Sequence, residues 1–254
     1  MRTFRSYLAP CSIAQPVEGQ AVALKGEEAH HLLRVLRIRE GEGVTLFDGA
    51  GGTWKCRFLS GKGSVVQLEV QSEEKMSRVG PPVFLAQCLA KTKAMESLMR
   101  HATELGVSGI IPLQSDHAEV RLEGNREQKR LERLRSIAIE ACKQSGNVFV
   151  PQVLPVQGVS DWLGALDSQG LALRLTASLE GDARPLLSLL EESGDSAESI
   201  TWLVGPEGDL SKEEYRQARV AGFFPVSFAN QVLKVETAAL YALAATDAYY
   251  QSKR

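Results

Sequence analysis

Two segments near the C-terminus carry residues whose types and spacing could bind a small molecule. The first, Gly-Pro-Glu-Gly-Asp-Leu-Ser, runs from Gly205 to Ser211 and follows the apolar run 200–204. A strand, a glycine-containing loop and a helix N-terminus are the usual arrangement of a phosphate site. Here Glu207 and Asp209 would repel a phosphate, so the loop suits a cationic or hydroxyl-bearing ligand such as a sulfonium, an amine or a ribose. A plain tight turn explains the glycines equally well.

The backbone of this loop has its own expected features. Gly205 and Gly208 are expected to permit positive φ and close approach of a ligand to the backbone, while Pro206 stiffens the loop. Ser211 and Glu214 have the spacing of a capping box, which predicts a helix beginning after Ser211.

The second segment, from Phe228 to Leu233, also precedes a predicted helix. Its backbone amides and carbonyls could recognise the edge of a planar base, although this loop alone is a weak signal. Open α/β sheets bind ligands at the carboxyl ends of their strands, so both loops are predicted to line one pocket.

The elements that must position these loops differ between the two parts of the chain. Residues 1–70 contain short apolar runs and glycine-rich turns, with strands predicted at 44–47, 53–58 and 65–70 and a helix at 26–36, which is typical of a small barrel or sandwich. The polar stretch 71–82 ends in Pro-Pro and is predicted to be a linker.

Beyond the linker, predicted strands and helices alternate. The strands are 83–89, 109–113, 171–175, 200–204 and 224–228, and the helices are 94–105, 126–144, 211–221 and 236–250. This alternation predicts an α/β fold with a mostly parallel sheet that is covered on both faces.

Composition narrows the functional class. The 254 residues are 44% hydrophobic and carry a net charge of -2, so the molecule as a whole is not an electrostatic nucleic-acid binder, although a local basic patch is compatible with these values. The four cysteines form no CxxC pair, which favours free buried thiols over a metal site. The polar N-terminus and the absence of a long apolar run predict a cytoplasmic protein without a membrane span.

At the two loops the sequence resembles a known family. The motifs GPEGDLS and VLKVETAAL are similar to those of SPOUT methyltransferases, and more narrowly to those of the bacterial 16S ribosomal RNA uracil-N3 methyltransferases, the RsmE family. Further similar motifs occur in the same order at 1–7, 30–37, 47–49, 91–96, 102–107 and 140–145. The chain departs from the family at Asp209, where glycine is usual, and at Lys234, where arginine is usual, so a guanidinium fork is lost.

The resemblance implies a fold and a cofactor. It implies a PUA-like β-barrel RNA-binding domain over 1–72 and a trefoil-knotted α/β domain over 73–254, acting as a homodimer. It also implies S-adenosyl-L-methionine as the cofactor, in agreement with the acidic loop. The residues expected to bind it are Leu173, Thr176, Leu203, Val204, Gly205, Glu207, Gly208, Phe228, Asn230, Val232 and Leu233.

Basic residues supply the candidate RNA contacts. His31, Arg34 and Arg37 are spaced three apart and are predicted to share one helix face. Each basic residue taken alone is better explained as ordinary solvated surface. As a set, and with the resemblance, they indicate contact with 16S ribosomal RNA or the small ribosomal subunit. The full set of expected RNA-binding residues is Arg2, Arg5, His31, Arg34, Arg37, Lys91 and Lys93.

Methylation of uridine N3 requires loss of the N3 proton. Glu236 is the candidate carboxylate for this step, and Lys234 or an N-terminal arginine is the candidate cation for the uracil oxygen. Glu236 could instead cap a helix or pair with Arg5 or Lys234. Two alternative functions remain open at this stage: a SPOUT RNA methyltransferase that modifies another position, and a noncatalytic RNA-binding module that holds an adenosyl ligand.

Overall fold

The computed structural model describes residues 3–9, 16–118, 120–122, 124–166, 172–193, 197–228 and 231–253. The chain forms two compact units. Unit 1 comprises Met1–Arg78 and Ile139–Val150, and unit 2 comprises Val79–Ala138 and Pro151–Arg254. The segment 139–150 of unit 1 lies within the range that the sequence alone assigns to the C-terminal domain.

Unit 1 is built on a five-stranded sheet in the order β1-β3-β4-β5-β2. Strand β1 is parallel to β3, and the other neighbours are antiparallel. The predicted strands are present, but β4 and β5 are longer than predicted, because β5 continues through the first residues of the predicted linker while paired with β4. The elements are β1 (Thr3–Tyr7), β2 (Ala21–Lys25), α1 (Gly26–His30), β3 (Gly43–Phe47), β4 (Gly52–Lys62) and β5 (Val65–Lys75).

The core of unit 1 follows the two-residue period of its strands. In β5, Val66, Leu68 and Val70 are buried, while the residues between them are only partly covered. Together with buried side chains such as Phe4 and Trp54 they form one apolar cluster. The alternation buries one face of the strand, which stabilises the sheet.

The predicted helix at 26–36 is interrupted by a π-helical turn at His31–Val35. The Leu36 N–H donates to the carbonyl oxygen of His31 at 3.0 Å, five residues earlier. Arg37 lies beyond the turn with φ 52°. The prediction that His31, Arg34 and Arg37 share one helix face is therefore wrong, because the wider turn and the left-handed residue break the three-residue spacing.

Unit 2 contains the remaining elements, apart from residues 139–145 of α3, which belong to unit 1. They are β6 (Val83–Cys88), α2 (Thr92–Glu104), β7 (Gly109–Gln114), α3 (Asn125–Ser145), β8 (Gln152–Val153), β9 (Gln157–Gly158), α4 (Val159–Gly164), β10 (Ala172–Ala177), β11 (Arg184–Pro185), α5 (Leu186–Ser193), β12 (Ser199–Val204), α6 (Lys212–Val220), β13 (Phe223–Ser227) and α7 (Val235–Gln251).

The sheet of unit 2 confirms the prediction of a mostly parallel architecture. Its order is β11-β13-β10-β12-β6-β7-β8, with β9 also pairing with β7, and each recorded pair is parallel. On one face Leu203 packs in an apolar cluster with residues of α4 and α6. On the other face Trp202 contacts α7. The side chains of Trp202 and Leu203 are adjacent in β12 and therefore point to opposite faces of the sheet. Because each contacts helices, both faces of the sheet are covered by helices.

The three described cysteines, Cys56, Cys88 and Cys142, are free and buried, and Cys11 lies outside the described residues. Burial raises the pKa of the Cys56 and Cys142 thiols to about 12, so they stay protonated and unreactive at neutral pH. In the described part of the chain, no group of His, Cys, Asp or Glu side chains could hold a metal ion. None of the described helices is both long and apolar enough to cross a bilayer.

Candidate cofactor cavity in unit 2

A cavity of about 570 Å³ lies at the carboxyl ends of four adjacent strands, β13, β10, β12 and β6. Neighbouring parallel strands end at the same edge of a sheet, so the loops that follow them converge there. The volume is in the range of small-molecule sites. The cavity is lined by residues 91, 94, 177–179, 204–207, 209, 228, 231–236 and 238.

Most of the expected cofactor residues lie around this cavity. Both loops singled out in the sequence contribute, together with the first turn of α7. The expected residues that line it are Val204, Gly205, Glu207, Phe228, Val232 and Leu233, and the two candidate catalytic residues, Lys234 and Glu236, line it as well.

Four expected cofactor residues are not part of the cavity wall. Leu173 and Leu203 are buried in the sheet, and Thr176 is buried one residue before Ala177. Gly208 is turned toward the loop after β7, where an added Cβ would lie 3.4 Å from the Cβ of His117. Asn230 lies outside the described residues.

The left-handed residue of the loop 205–211 is Asp209, with φ 63°, rather than either glycine. Aspartate visits this region more readily than most residues, because its side chain can bond locally to the backbone. Here Oδ1 of Asp209 accepts the Leu210 N–H at 2.8 Å. Gly205 and Gly208, which permit positive φ, do not adopt it. Gly205 is needed for close approach within the loop, since a Cβ there would lie 3.2 Å from Cγ of Leu210.

The start of α6 confirms the predicted capping box. Oγ of Ser211 accepts the Glu214 N–H at 3.2 Å, and Oε2 of Glu214 accepts the Ser211 N–H at 2.8 Å. The loop after β7 is attached to the same cap, because the Asp116 N–H donates to Oε1 of Glu214 and the Ser211 hydroxyl donates to Oδ2 of Asp116. These bonds fix the end of the loop that lines the cavity.

The first turn of α7 places charge beside the cavity. Lys234 is the N-cap residue and is exposed, and Glu236 lies in the first turn. Lys234 and Glu236 are two residues apart, a spacing at which side chains on a helix do not face each other.

Sequence reasoning missed the loop after β10. Ser178 and Leu179 line the cavity, and β10 ends at Ala177 instead of at 175. If β10 had been predicted to end at residue 177, Ser178 and Leu179 would have been identified as the first residues after its carboxyl end. Ligand-binding loops begin at that position in open α/β sheets. Thr176 also has a buried hydroxyl with no hydrogen-bond partner among the described residues.

The expected RNA-binding residues are distributed over both units. In unit 1, Arg34 and Arg37 are exposed and His31 is half-buried, while a guanidinium nitrogen of Arg5 donates to the carbonyl oxygen of Gly146 at 3.0 Å. In unit 2, Lys91 lines the cavity and Lys93 is exposed at the start of α2. Arg2 lies outside the described residues.

The match to family models covers both units. Residues 78–247 match a model described as an RNA methyltransferase domain, and residues 24–69 match one described as an RNA methyltransferase PUA domain. These matches agree with the five-stranded sheet of unit 1 and the parallel sheet of unit 2.

Individual proteins are similar over nearly the whole chain. The ribosomal RNA small subunit methyltransferase E of Synechocystis sp. is 30% identical over 98% of this chain and 78% of the relative. The protein of the same name from Bacillus subtilis is 28% identical over 90% of each chain. A crystal structure of ribosomal RNA small subunit methyltransferase E from Neisseria gonorrhoeae, bound to S-adenosyl methionine, has a TM-score of 0.86 at 32% identity and covers 98% of both chains.

Proposed function

We propose that this chain, which belongs to the RNA methyltransferase family and resembles its small-subunit methyltransferase E members, methylates N3 of a uridine in 16S ribosomal RNA with S-adenosyl-L-methionine as the methyl donor. The observation that carries the proposal is that four strand ends and the first turn of α7 converge on one cavity. The wall of this cavity includes the acidic loop 205–211 and the side chains of Lys234 and Glu236.

The residues present fit the methyl donor. The cavity has apolar walls at Val204, Val232 and Leu233, which suit an adenine ring, and the exposed carboxylate of Glu207 suits a hydroxyl or cationic group. The similar protein from Neisseria gonorrhoeae was solved with S-adenosyl methionine bound. We therefore assign the cofactor to this cavity, with Phe228 and Gly205 also contributing to its walls.

In the proposed reaction the cofactor supplies a methyl group carried on a positively charged sulfur. The carboxylate of Glu236 accepts the N3 proton, so that the nitrogen lone pair is free to form the new N–C bond. The Lys234 ammonium stabilises the negative charge that develops on a uracil oxygen. The walls of the cavity hold the reacting groups in line, and this positioning provides most of the acceleration.

The RNA contacts are assigned to the basic residues of both units. Exposed Arg34 and Arg37 neutralise phosphates, and Lys91, at the cavity wall, and Lys93, nearby on α2, hold the RNA close to the reacting base. The match of residues 24–69 to an RNA methyltransferase PUA domain supports an RNA-binding role for unit 1. We keep Arg2, Arg5 and His31 in the proposed contact surface.

We also propose three properties that the family resemblance implies. The segment containing the loops 205–211 and 228–233 forms a trefoil knot, the protein acts as a homodimer, and it works in the cytoplasm. We place the boundary between an N-terminal RNA-binding domain and the methyltransferase domain near residue 78 instead of residue 72, because β5 continues to Lys75 and unit 1 to Arg78. Sedimentation equilibrium measures the dimer directly, and a monomer at micromolar concentration would contradict it.

The deciding experiment is transfer of a labelled methyl group to naked 16S RNA, small subunits and intact ribosomes side by side, with the product nucleoside identified by mass. The proposal predicts 3-methyluridine. Methylation of a ribose, or of another base atom, would instead support a SPOUT methyltransferase of other specificity. Binding of cofactor and RNA without any transfer would identify a noncatalytic RNA-binding module.

A further inference from the structure

The hydroxyl of Tyr215 on α6 holds one loop of the cavity, although Tyr215 itself does not line it. It donates a hydrogen bond of 2.8 Å to Oδ1 of Asp209. Asp209 follows β12 and Ser178 follows β10, and both line the cavity. Tyr215 is 5% exposed, so this connection lies in the protein interior.

The bond to Asp209 acts on a residue in an uncommon backbone conformation. Asp209 has φ 63°, and left-handed backbone at a residue other than glycine persists only where its surroundings hold it. Its Oδ1 accepts both the Tyr215 hydroxyl and the Leu210 N–H, and its carbonyl oxygen lies 3.3 Å from Nδ1 of His117. The Asp209 N–H also donates to the carbonyl oxygen of Pro206 at 3.0 Å, so the Tyr215 bond is one of four among the described residues that fix this turn of the loop.

The loop after β10 is also held to α6. Arg219, one turn after Tyr215 on the same side of the helix, binds the carboxylates of Glu180 and Asp182. Ser178 is fixed by the Glu180 N–H, which donates to its Oγ at 3.1 Å. Helix α6 thus holds the loop after β12 through the Tyr215 hydroxyl and the loop after β10 through the exposed ion pairs of Arg219.

We infer that Tyr215 is a positioning residue for the methyl donor: through Asp209 it fixes the loop 205–211 to helix α6, and with it one wall of the cavity in which the cofactor binds. The inference rests on the proposed function only through cofactor binding, and it holds whichever RNA atom is methylated. Burial, then the hydrogen bond with Asp209, raise the pKa of Tyr215 above its ordinary value, so the hydroxyl stays a donor at neutral pH.

The test measures S-adenosylmethionine binding by calorimetry in the full-length protein. Tyr215→Phe is expected to raise Kd about tenfold, with kcat at saturating cofactor unchanged and KM for the cofactor raised in parallel. Asp209→Gly, which permits the same backbone conformation without the carboxylate, is expected to do the same. Asp209→Asn is expected to lose less affinity than Asp209→Gly, since its amide oxygen can accept the hydroxyl and asparagine tolerates positive φ.

Tyr249→Phe is the matched control. It also removes one buried tyrosine hydrogen bond, from Tyr249 to the carbonyl oxygen of Leu190 at 3.1 Å, but near the far end of α7. Its Kd is expected to equal that of the parent. Parent-like binding by Tyr215→Phe, or equal losses in Tyr215→Phe and Tyr249→Phe, would overturn the inference while leaving the proposed function intact. A parent protein that binds no cofactor would overturn both.

Discussion

The indole N–H of Trp202 donates a hydrogen bond of 3.1 Å to the hydroxyl of Thr246, and both residues are buried. Trp202 lies on β12, which is followed by the cavity-lining loop 205–211. Thr246 lies on α7, whose first turn forms part of the cavity wall. The Thr246 hydroxyl in turn donates to the carbonyl oxygen of Ala242 at 2.7 Å. One side-chain bond therefore connects the two elements that carry the proposed cofactor loop and the proposed catalytic residues.

Thr246→Val is expected to lower the free energy of unfolding by about 1–3 kcal/mol, because the Trp202 N–H is left buried without an acceptor. Thr246→Ser keeps the hydroxyl and is expected to cost less. Urea unfolding followed by tryptophan fluorescence measures both variants. A valine variant as stable as the parent would show that the bond adds nothing to the attachment of α7.

Glu236→Gln is expected to lower kcat for methyl transfer by about 10²- to 10⁴-fold, since the amide cannot accept the N3 proton. The Kd for S-adenosylmethionine is expected to change little. Glu191→Gln serves as the matched control and is expected to retain activity. Glu191 lies on α5, beside a separate groove between α5 and α7. Full activity in Glu236→Gln would remove this residue from the mechanism.

The double variant Arg34→Ala/Arg37→Ala is expected to weaken binding of 16S RNA about uniformly across sequences and to reduce the slope of log K against log salt by about 1–2, one unit for each lost phosphate contact. Lys62→Ala, which changes an exposed lysine at the far end of β4, is the control. Filter binding over a salt series gives the slope. An unchanged slope would place the RNA on another surface.

Lys143 is predicted to stabilise unit 1 through the carboxylates of Glu28 and Glu140. Burial lowers its pKa, but the hydrogen bonds with Glu140 and Glu28 outweigh burial, so the net pKa is raised above the ordinary lysine value. A raised pKa in the folded state means that the stabilisation is complete below the pKa of the unfolded chain, about 10.4, and is lost as pH rises through the folded value.

Lys143→Met is therefore expected to lower the free energy of unfolding at pH 8 by about 1–3 kcal/mol. The difference between variant and parent is expected to shrink as the pH rises from about 10.4, the pKa of lysine in the unfolded chain, through the raised pKa of the folded protein. Denaturant unfolding at pH 8 and pH 11 measures this, with Lys62→Met as the exposed control. A difference that stays constant with pH would assign the effect to packing of the side chain instead of its charge.

Local signals account for much of the predicted architecture. The helix after Ser211 was predictable because its capping box involves residues three apart, and those two bonds are present. The left-handed residue was not predictable in the same way, since glycines usually take that role. Asp209 takes it because Tyr215 and Leu210 both bond its carboxylate, and the contact with Tyr215 exists only once α6 is folded.

The sequence by itself determined the alternation of strands and helices, the acidic glycine loop and the basic residues, because each depends on neighbours a few residues apart. Only the tertiary structure decided which loops meet. The strand order β13-β10-β12-β6 brings Ser178, Glu207 and Glu236 around one cavity, although they are far apart in the chain. That order depends on long-range pairing and on burial of both sheet faces, which no local pattern of residue types specifies.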